Sequence, residues 1–264
     1  MHIVRYLYKE QIQYGILEGD RIIACGGDPF SELLRGQKAV DLRSVRLLAP
    51  VLPPNILCLG LNYRKHADEG GMPYPPVPLL FLKTTTALSG TGDPIVIPED
   101  YPDTIDYEVE LVIVIGKKAR NVSEEEVPKV VLGYTIGNDV SNRAAQFSDK
   151  QWCRGKSHDT FCPIGPAIVT DLDGDNLDLS CRIDGEVRQD SNTSDMIFSC
   201  RQIVSFLSKS MTLLPGTIIM TGTPSGVGFA RTPPTFLKSG QVVECRIEGI
   251  GVLSNPVIGP NEGR

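Results

Sequence analysis

The chain has 264 residues, of which 41% are hydrophobic and 22% charged, the composition of a globular protein with room for a sizeable core. Its net charge of −6, without any cluster of lysine and arginine, argues against a nucleic-acid-binding protein. No apolar run approaches the roughly 18 residues of a membrane-spanning helix. The first residues contain no apolar signal core, so we expect a cytoplasmic protein.

The cysteines, prolines and glycines indicate what kind of fold to expect. The seven cysteines form no Cys-x-x-Cys pair and lie mostly in apolar segments, such as Cys58 in ILCLG and Cys245 in VVECRI. We therefore expect reduced, buried thiols and neither a disulfide framework nor a zinc site. The 20 prolines and 26 glycines favour many turns, and hence strands more than long helices.

The first 50 residues predict a small β-rich domain. Short strands are expected in HIVRYLY, QYGILEG and RIIAC, with turns at Gly15 and at residues 18–20. Pro50, Pro53 and Pro54 then mark a boundary, and we place the second domain at 51–264.

The second domain predicts an α+β, strand-dominated fold with few helices. Strands are expected in NILCLGLNY, GYTIGND, GTIIMTGTPSGVG before its glycine-rich loop, and a closing hairpin in QVVECRIEGIGVLSNPV. RKHADEGG predicts a short helix or flexible loop, and SEEEVPKVV a short helix with a capping box of Ser123 and Glu126. The longest helix is expected in SDMIFSCRQIVSFLSKS, with Ser194 as its N-cap, because apolar residues recur there at helical spacing.

Residues 105–116, IDYEVELVIVIG, place three acids in a segment that otherwise has the pattern of a core strand. One face is apolar throughout, whereas the other begins with Asp106, Glu108 and Glu110 and continues with two valines. Residues i and i+2 lie about 6.5–7 Å apart on one face, so Glu108 and Glu110 can converge on Mg²⁺, Mn²⁺ or Ca²⁺. The alternative is a half-exposed strand whose acids face water. Asp139, at the end of the strand in YTIGND, offers a third oxygen ligand, although Asn-Asp after glycine is also typical of a turn.

Several segments, taken in order, are similar to the fumarylacetoacetate hydrolase family: LGLNYRKHADE, PLLFLKTTTALSGTGDPIVIP, the Glu-x-Glu strand, GNDVSNR, RGKSHDTFCPIGP and MTGTPSGVG. The resemblance covers about residues 50–260. It implies the family's mixed β-sandwich roll, a homodimer, and one Mg²⁺ or Mn²⁺ ion held by Glu108, Glu110 and Asp139. Members of this family cleave or decarboxylate 2-oxo acids and acylpyruvate-like 1,3-dicarbonyls, and some isomerise the enol and keto forms of oxaloacetate.

The resemblance also implies roles for residues around the ion. Lys156 in RGKSHD matches a lysine beside metal and substrate, and Arg143 and Gln146 in NRAAQ match positions that hold substrate oxygens in relatives. Thr223 is expected to line the pocket with its hydroxyl. By themselves, the lysine and arginine would be interpreted as solvated surface charges. His158 would share the face of Lys156 on a strand, but it receives no role.

His66 and Glu69 stand three residues apart, which places them on one face of a helix within hydrogen-bonding reach. An imidazole oriented by a carboxylate is a suitable general base for activating water. In hydrolytic relatives a matching dyad lies on a lid over the substrate, and Gly70 and Gly71 would allow such a movement. The alternative is an ordinary pair on a surface helix.

These observations predict a metal-dependent enzyme that hydrolyses or decarboxylates a C–C bond in a small 2-oxo or 1,3-dicarbonyl acid. The alternatives are an oxaloacetate-type keto–enol tautomerase, a tailoring enzyme for a natural product, or a binding protein that has lost turnover. The expected partners are a small carboxylate substrate and a second copy of the chain, with no nucleic acid and no membrane. Nothing in the sequence separates Mg²⁺ from Mn²⁺.

Overall fold

The computed structural model describes residues 1–260 and residue 262. Strands hold 43% of the chain and helices 16%, which confirms the predicted strand-dominated α+β fold. The strands are β1 (His2–Tyr8), β2 (Gln11–Glu18), β3 (Arg21–Asp28), β4 (Glu32–Asp41), β5 (Arg46–Leu48), β6 (Ile56–Gly60), β7 (Leu79–Lys83), β8 (Leu88–Ser89), β9 (Ile95–Val96), β10 (Ile105–Asp106), β11 (Val109–Ile115), β12 (Val131–Asn138), β13 (Ser141–Asn142), β14 (Cys162–Val169), β15 (Asp178–Ile183), β16 (Glu186–Asn192), β17 (Ile218–Met220), β18 (Val242–Ile247) and β19 (Gly251–Ile258).

The helices are few and short. The α-helices are α1 (Arg64–Glu69), α2 (Arg143–Ser148), α3 (Cys153–Lys156) and α4 (Cys200–Ser210), and 3₁₀ turns lie at Leu42–Ser44, Thr85–Ala87, Val127–Lys129, Thr193–Asp195 and Gly228–Ala230. None of the helices in the described residues is long and apolar enough to cross a membrane.

Two mixed sheets form the body of the fold. The large sheet has the order β4-β3-β2-β1-β14-β12-β11-β17-β6-β7, with β5 beside β1 and β8 beside β14. The second sheet has the order β16-β15-β18-β19-β9, and β10 pairs with β13 in a small two-stranded sheet. Both mixed sheets contain parallel and antiparallel neighbours, since β17 runs parallel to β6 and β9 parallel to β19. The closing hairpin is β18–β19, as predicted.

Strand β11 lies in the middle of the large sheet and is buried on both faces. Leu111 and Ile113 pack into the core between the large sheet and the second sheet. Val112 and Val114 pack into a separate core on the opposite face. The predicted alternation is therefore confirmed, and Glu110 lies on the same face as the two valines because successive residues of a strand alternate.

The N-terminal strands are continuous with the large sheet. Strand β1 pairs with β14 through His2↔Val169 and Ile3↔Ile168. The domain boundary near residue 50 therefore remains a proposal, since hydrogen bonds cross from one proposed domain to the other. The turn predicted at Gly15 is wrong: Gly15 lies within β2, opposite Val4 and Ala24. Pairing on both sides outweighs the turn preference of a single glycine.

The longest helix begins later than predicted. Helix α4 starts after Ser199, whose hydroxyl accepts a hydrogen bond from Gln202 N while Gln202 Oε1 accepts one from Ser199 N. Residues 196–198 lie outside the helix because Asn62 accepts a hydrogen bond from Phe198 N and donates one to Phe198 O. Ser194 lies in a separate 3₁₀ turn. A tertiary contact from a distant side chain, which the helical pattern cannot reveal, sets this boundary.

Two smaller predictions also change. The segment 105–116 is two strands rather than one, because Glu108 N and Val109 N donate to the side chains of Asn138 and Gln189 instead of joining a ladder. Ser123 N does donate to Glu126 Oε2 at 2.9 Å, but only a 3₁₀ turn follows.

Candidate active site

The carboxylates of Glu108, Glu110 and Asp139 come together where β11 and β12 end side by side. Asp139 follows Asn138, which pairs with Val109, and Asp139 N donates to Glu108 O at 2.9 Å. The Asn138 side chain in turn accepts from Glu108 N at 2.9 Å. One oxygen from each acid lies within 4.8 Å of the others, and all three residues are buried.

Two buried lysines flank Asp139. Lys156 Nζ donates to Glu108 Oε2 at 2.7 Å and to Asp139 Oδ2 at 2.6 Å. Lys83, the last residue of β7, donates to the other oxygen of Asp139 and to Val140 O at 3.1 Å. Asp139 is thus held from two sides, and Lys156 links two of the three acids.

Lys156 reaches the triad because helix α3 packs closely on helix α2. A Cβ on Gly155 would lie 2.7 Å from Gln146 N and 2.9 Å from Asn142 O, so only glycine permits this approach. Lys156 therefore ends a helix, and the expectation that it shares a strand face with His158 is wrong. The ring of His158 lies outside the site, with Nε2 3.2 Å from Asn142 Nδ2.

Arg143 ties the acids to the wall of the site. Its Nε donates to Asp106 Oδ2 at 2.9 Å, its Nη2 to Glu108 Oε1 at 2.6 Å, and its Nη1 to Gln146 Oε1 at 2.9 Å. The guanidinium carbon lies 4.5 Å from the centre of the Phe229 ring, a cation–π arrangement. All three nitrogens of Arg143 donate to protein acceptors, and one of these acceptors is Glu108.

The two glutamates of the triad differ in electrostatic environment. Burial alone would raise the pKa of Glu108, but Arg143 and Lys156 outweigh it and hold that pKa below its ordinary value. Burial, followed by the charges of Asp139 and Glu108, raises the pKa of Glu110 well above its ordinary value. Its hydrogen bond comes from Gly222 N at 2.8 Å. Glu110 is therefore the acid of the triad that lacks a paired cation among the described residues.

This charge balance fits a bound cation. The site contains four acidic groups, Asp106, Glu108, Glu110 and Asp139, against three basic groups, Lys83, Lys156 and Arg143. A divalent ion among the three clustered oxygens would remove the repulsion that acts on Glu110. Three carboxylates form the oxygen-rich ligand set that Mg²⁺ and Mn²⁺ prefer.

Helix α1 brings a histidine to the same site. His66 Nδ1 lies 2.7 Å from Glu69 Oε1, and both Glu69 oxygens accept from Gly226 N, at 3.2 and 3.0 Å. The predicted pair therefore forms, and Glu69 also attaches the helix to the glycine-rich loop after β17. Because Nδ1 is bound to Glu69, Nε2 is the ring nitrogen left for a ligand.

The predicted residues surround one cavity of about 270 Å³. The residues of the prediction that line it are His66, Glu108, Glu110, Arg143, Gln146, Lys156 and Thr223. Asp139 lies behind this wall within the triad. The Thr223 hydroxyl donates to Val109 O at 3.0 Å and accepts from Gln189 Nε2 at 2.8 Å, so it fixes the loop against β11. The geometry brings the nine residues together, while their individual roles remain predictions.

Two charged residues of the site are absent from the sequence-based prediction. Lys83 ends the apolar strand LLFLK, and a lysine that closes such a strand is a signal for a buried pair. Asp106 belongs to the acidic face already noted, but it turns to Arg143 and also accepts from Gly228 N at 2.7 Å and Phe229 N at 3.0 Å. Asp106 thus connects the 3₁₀ turn at 228–230 to the arginine that orients Glu108.

Comparison with protein-family models gives two matches. Residues 55–258 match the model described as fumarylacetoacetate (FAA) hydrolase C-terminal. Residues 1–50 match the model described as Rv2993c-like, N-terminal.

Individual relatives agree with the first match. A fumarylacetoacetate hydrolase domain-containing protein 2 homolog of Dictyostelium discoideum is 47% identical over 83% of this chain and 76% of that protein. A Xenopus laevis protein named oxaloacetate tautomerase fahd2, mitochondrial, is 44% identical over 86% of this chain and 73% of that protein. A solved structure named 5-carboxymethyl-2-hydroxymuconate delta-isomerase from Mycobacterium smegmatis is 39% identical, covers 98% of this chain and all of its own, and has a TM-score of 0.89.

Proposed function

The chain belongs to the fumarylacetoacetate hydrolase family, and on this premise we propose that it is a metal-dependent keto–enol isomerase of a small 2-oxo acid. The observation that supports the proposal is the buried triad of Glu108, Glu110 and Asp139, with Glu108, Glu110 and His66 lining one cavity. In this proposal the triad binds a divalent cation and the imidazole moves a proton.

In this proposal Glu108, Glu110 and Asp139 hold one Mg²⁺ or Mn²⁺ ion. When bound, the ion supplies Lewis-acid stabilisation of the enolate oxygen of a chelated 2-oxo acid. Lys156, which touches two of the three acids, holds the substrate carboxylate at the edge of the triad. Arg143 and Gln146 keep Glu108 in place and form the wall beside the substrate. Thr223 fixes the loop that closes the cavity.

His66 transfers the proton between carbon and solvent. Its Nδ1 is held by Glu69 at 2.7 Å, which leaves Nε2 for the substrate. In the keto-to-enol direction Nε2 takes the proton from the carbon next to the keto group, and the enolate oxygen then takes a proton from solvent to give the enol. In the reverse direction the enol oxygen loses its proton to solvent and the imidazolium gives a proton to the carbon. The Glu69 carboxylate stabilises the imidazolium that forms in between. Attachment of Glu69 to Gly226 N keeps helix α1 over the cavity during this exchange.

The names of the relatives favour isomerisation. The Xenopus protein is named an oxaloacetate tautomerase and the Mycobacterium structure a delta-isomerase, and both names describe a proton shift without loss of a fragment. The sequence motifs alone favoured C–C bond cleavage, with a keto–enol tautomerase as the alternative. The names of the relatives favour the alternative.

Hydrolysis or decarboxylation of a C–C bond is the second candidate. The observation that favours it is the same His66–Glu69 pair, because an imidazole oriented by a carboxylate also activates water. All of these reactions pass through an enolate. Isomerisation forms it by loss of a proton from carbon, hydrolysis by addition of water to the neighbouring acyl carbonyl and departure of the acid, and decarboxylation by loss of CO₂. A cytoplasmic location and a homodimer also belong to the proposal, although the Xenopus relative is named as mitochondrial.

Product analysis tests the proposal. Protein stripped with EDTA is compared with the same protein after addition of Mg²⁺ or Mn²⁺, on oxaloacetate and on an acylpyruvate. Isomerisation predicts that enol absorbance relaxes faster with metal while substrate mass is unchanged, whereas release of pyruvate identifies cleavage. Full turnover by the metal-free protein would refute both candidates. The substitution Glu110→Gln changes one of the three proposed metal ligands. Glu124→Gln, the same substitution at an exposed position, is its control.

A further inference from the structure

The residues that line the cavity include a charged group and an apolar group. Glu108, Glu110, Lys156 and Arg143 form the charged group, which we call the charged end. Eight large apolar side chains form the other group, which we call the apolar end: Leu59, Leu61, Met72, Leu79, Phe81, Phe147, Trp152 and Phe229. The substrate head must occupy the charged end, so the rest of the substrate meets this apolar end.

The two cations of the cavity wall, Lys156 and Arg143, are both hydrogen-bonded to protein acceptors. Lys156 is bonded to Glu108 and Asp139, and each nitrogen of Arg143 donates to a protein acceptor. Phe229 covers the face of the guanidinium at 4.5 Å. Among the described residues that line the cavity, Lys156 and Arg143 are the only lysine and arginine. Lys156 Nζ also lies 5.1 Å from the centre of the Phe81 ring, and the apolar end contains no further lysine or arginine. A carboxylate placed there would be desolvated without a partner, which is costly.

The side chains of the apolar end pack closely against one another and against the backbone. The indole of Trp152 lies on Gly60 at the end of β6, where a Cβ would be 2.5 Å from the ring and 3.1 Å from Leu79. The Phe81 ring meets Trp152 edge-on, with ring centres 5.5 Å apart. Phe147 and Phe229, which also line the cavity, form a second edge-on pair with ring centres 5.5 Å apart. Two aromatic pairs therefore enclose the space beyond the substrate head.

We propose that this site takes a 2-oxo acid whose group away from the metal is apolar, such as an aryl or alkyl chain, in preference to one with a second carboxylate. The inference rests on the proposed function for the position of the head, and it adds the chemistry of the tail. Trp152 and Phe147 are the specificity-determining residues, because both line the cavity and each belongs to one of its two aromatic pairs.

Three oxamates test the inference without turnover. Oxamate itself carries the chelating head alone, N-benzyloxamate adds an apolar tail, and N-carboxymethyloxamate adds an anionic one. Trp152 is the single tryptophan of the chain, so its fluorescence reports binding in the wall of the cavity. In excess Mg²⁺ we expect N-benzyloxamate to bind at least about tenfold more tightly than N-carboxymethyloxamate, since the ring leaves water and the carboxylate remains unpaired.

The second test introduces a positive charge into the lining of the cavity by the substitution Phe147→Arg. Phe147 is 65% exposed and Leu52, which lies outside the cavity lining, is 63% exposed, so Phe147→Arg and Leu52→Arg are matched. Phe147→Arg should weaken N-benzyloxamate and strengthen N-carboxymethyloxamate about two- to fivefold each. Leu52→Arg and the affinity for oxamate itself should change less than twofold.

The results distinguish failure of the apolar-tail inference from failure of the proposed function. Equal or tighter binding of N-carboxymethyloxamate by the unchanged protein would overturn the apolar-tail inference while the proposed head site stands. Equal effects of the two arginine variants would also overturn it, because the charge would then act from a distance. Failure of oxamate to bind in the presence of Mg²⁺ would overturn the proposed function, and with it this inference.

Discussion

Replacing Glu110 by Gln should stabilise the metal-free protein at pH 8. Glu110 is 1% exposed, accepts a hydrogen bond from Gly222 N, and has no paired cation among the described residues. Burial, followed by Asp139 and Glu108, raises its pKa well above the ordinary value of 4.5. Gln keeps the shape and can still accept from Gly222 N, but it carries no charge.

The sign of the pH dependence follows from the raised pKa. The stabilisation that comes from protonating Glu110 is fully present below pH 4.5 and is lost as pH rises through the higher folded-state pKa. At pH 8 the metal-free protein has therefore lost stability at Glu110 that a neutral glutamine retains. Relief of about 1–2 kcal/mol corresponds to a Tm increase of about 2–8 °C for a chain of this size.

Thermal melting in EDTA, followed by circular dichroism, measures this difference. The advantage of Glu110→Gln should shrink as the pH is lowered toward 5, and Glu124→Gln should melt like the unchanged protein at every pH. With Mg²⁺ at about 100 times its Kd, the unchanged protein should gain about 2.7 kcal/mol, and Glu110→Gln should gain far less. A variant that melts lower than the unchanged protein by the same amount at both pH values would refute the reasoning.

Three further substitutions probe the surroundings of the triad. Lys83→Met should lower the free energy of unfolding by about 3–5 kcal/mol in denaturant, because it leaves one oxygen of the buried Asp139 without its cation. Lys129→Met, at an exposed position, should leave the free energy of unfolding unchanged. Equal denaturation midpoints for the two variants would contradict this. Asp106→Asn should weaken Mg²⁺ or Mn²⁺ binding about 10–100-fold in calorimetry, since it frees the arginine that orients Glu108, and an unchanged affinity would remove Asp106 from that role. His66→Ala should slow turnover by about 10²–10⁴-fold while metal affinity is retained; a variant that keeps full activity would show that another group moves the proton.

The parts of the site that sequence could predict are those set by local alternation. The two-faced pattern of 105–116 correctly placed Glu108 and Glu110 on one face, and the spacing of His66 and Glu69 correctly placed them in contact. Lys83 and Asp106 escaped prediction because their partners, Asp139 and Arg143, lie 56 and 37 residues away along the chain. The start of α4 escaped for the same reason, since Asn62 holds the segment before it from 136 residues away. Long-range pairing decides these features, and no local pattern encodes it.

Because β11 is clamped between two cores, its first residues cannot swing outward to admit or release an ion. The proposed ion would then exchange through the cavity that His66 of helix α1 lines. We expect the exchange rate to follow the lifetime of the contact between Glu69 and Gly226 N rather than opening of the sheet. Backbone amides of β11 should accordingly be among the slowest in the molecule to exchange with deuterated water, even under conditions in which the ion leaves within seconds.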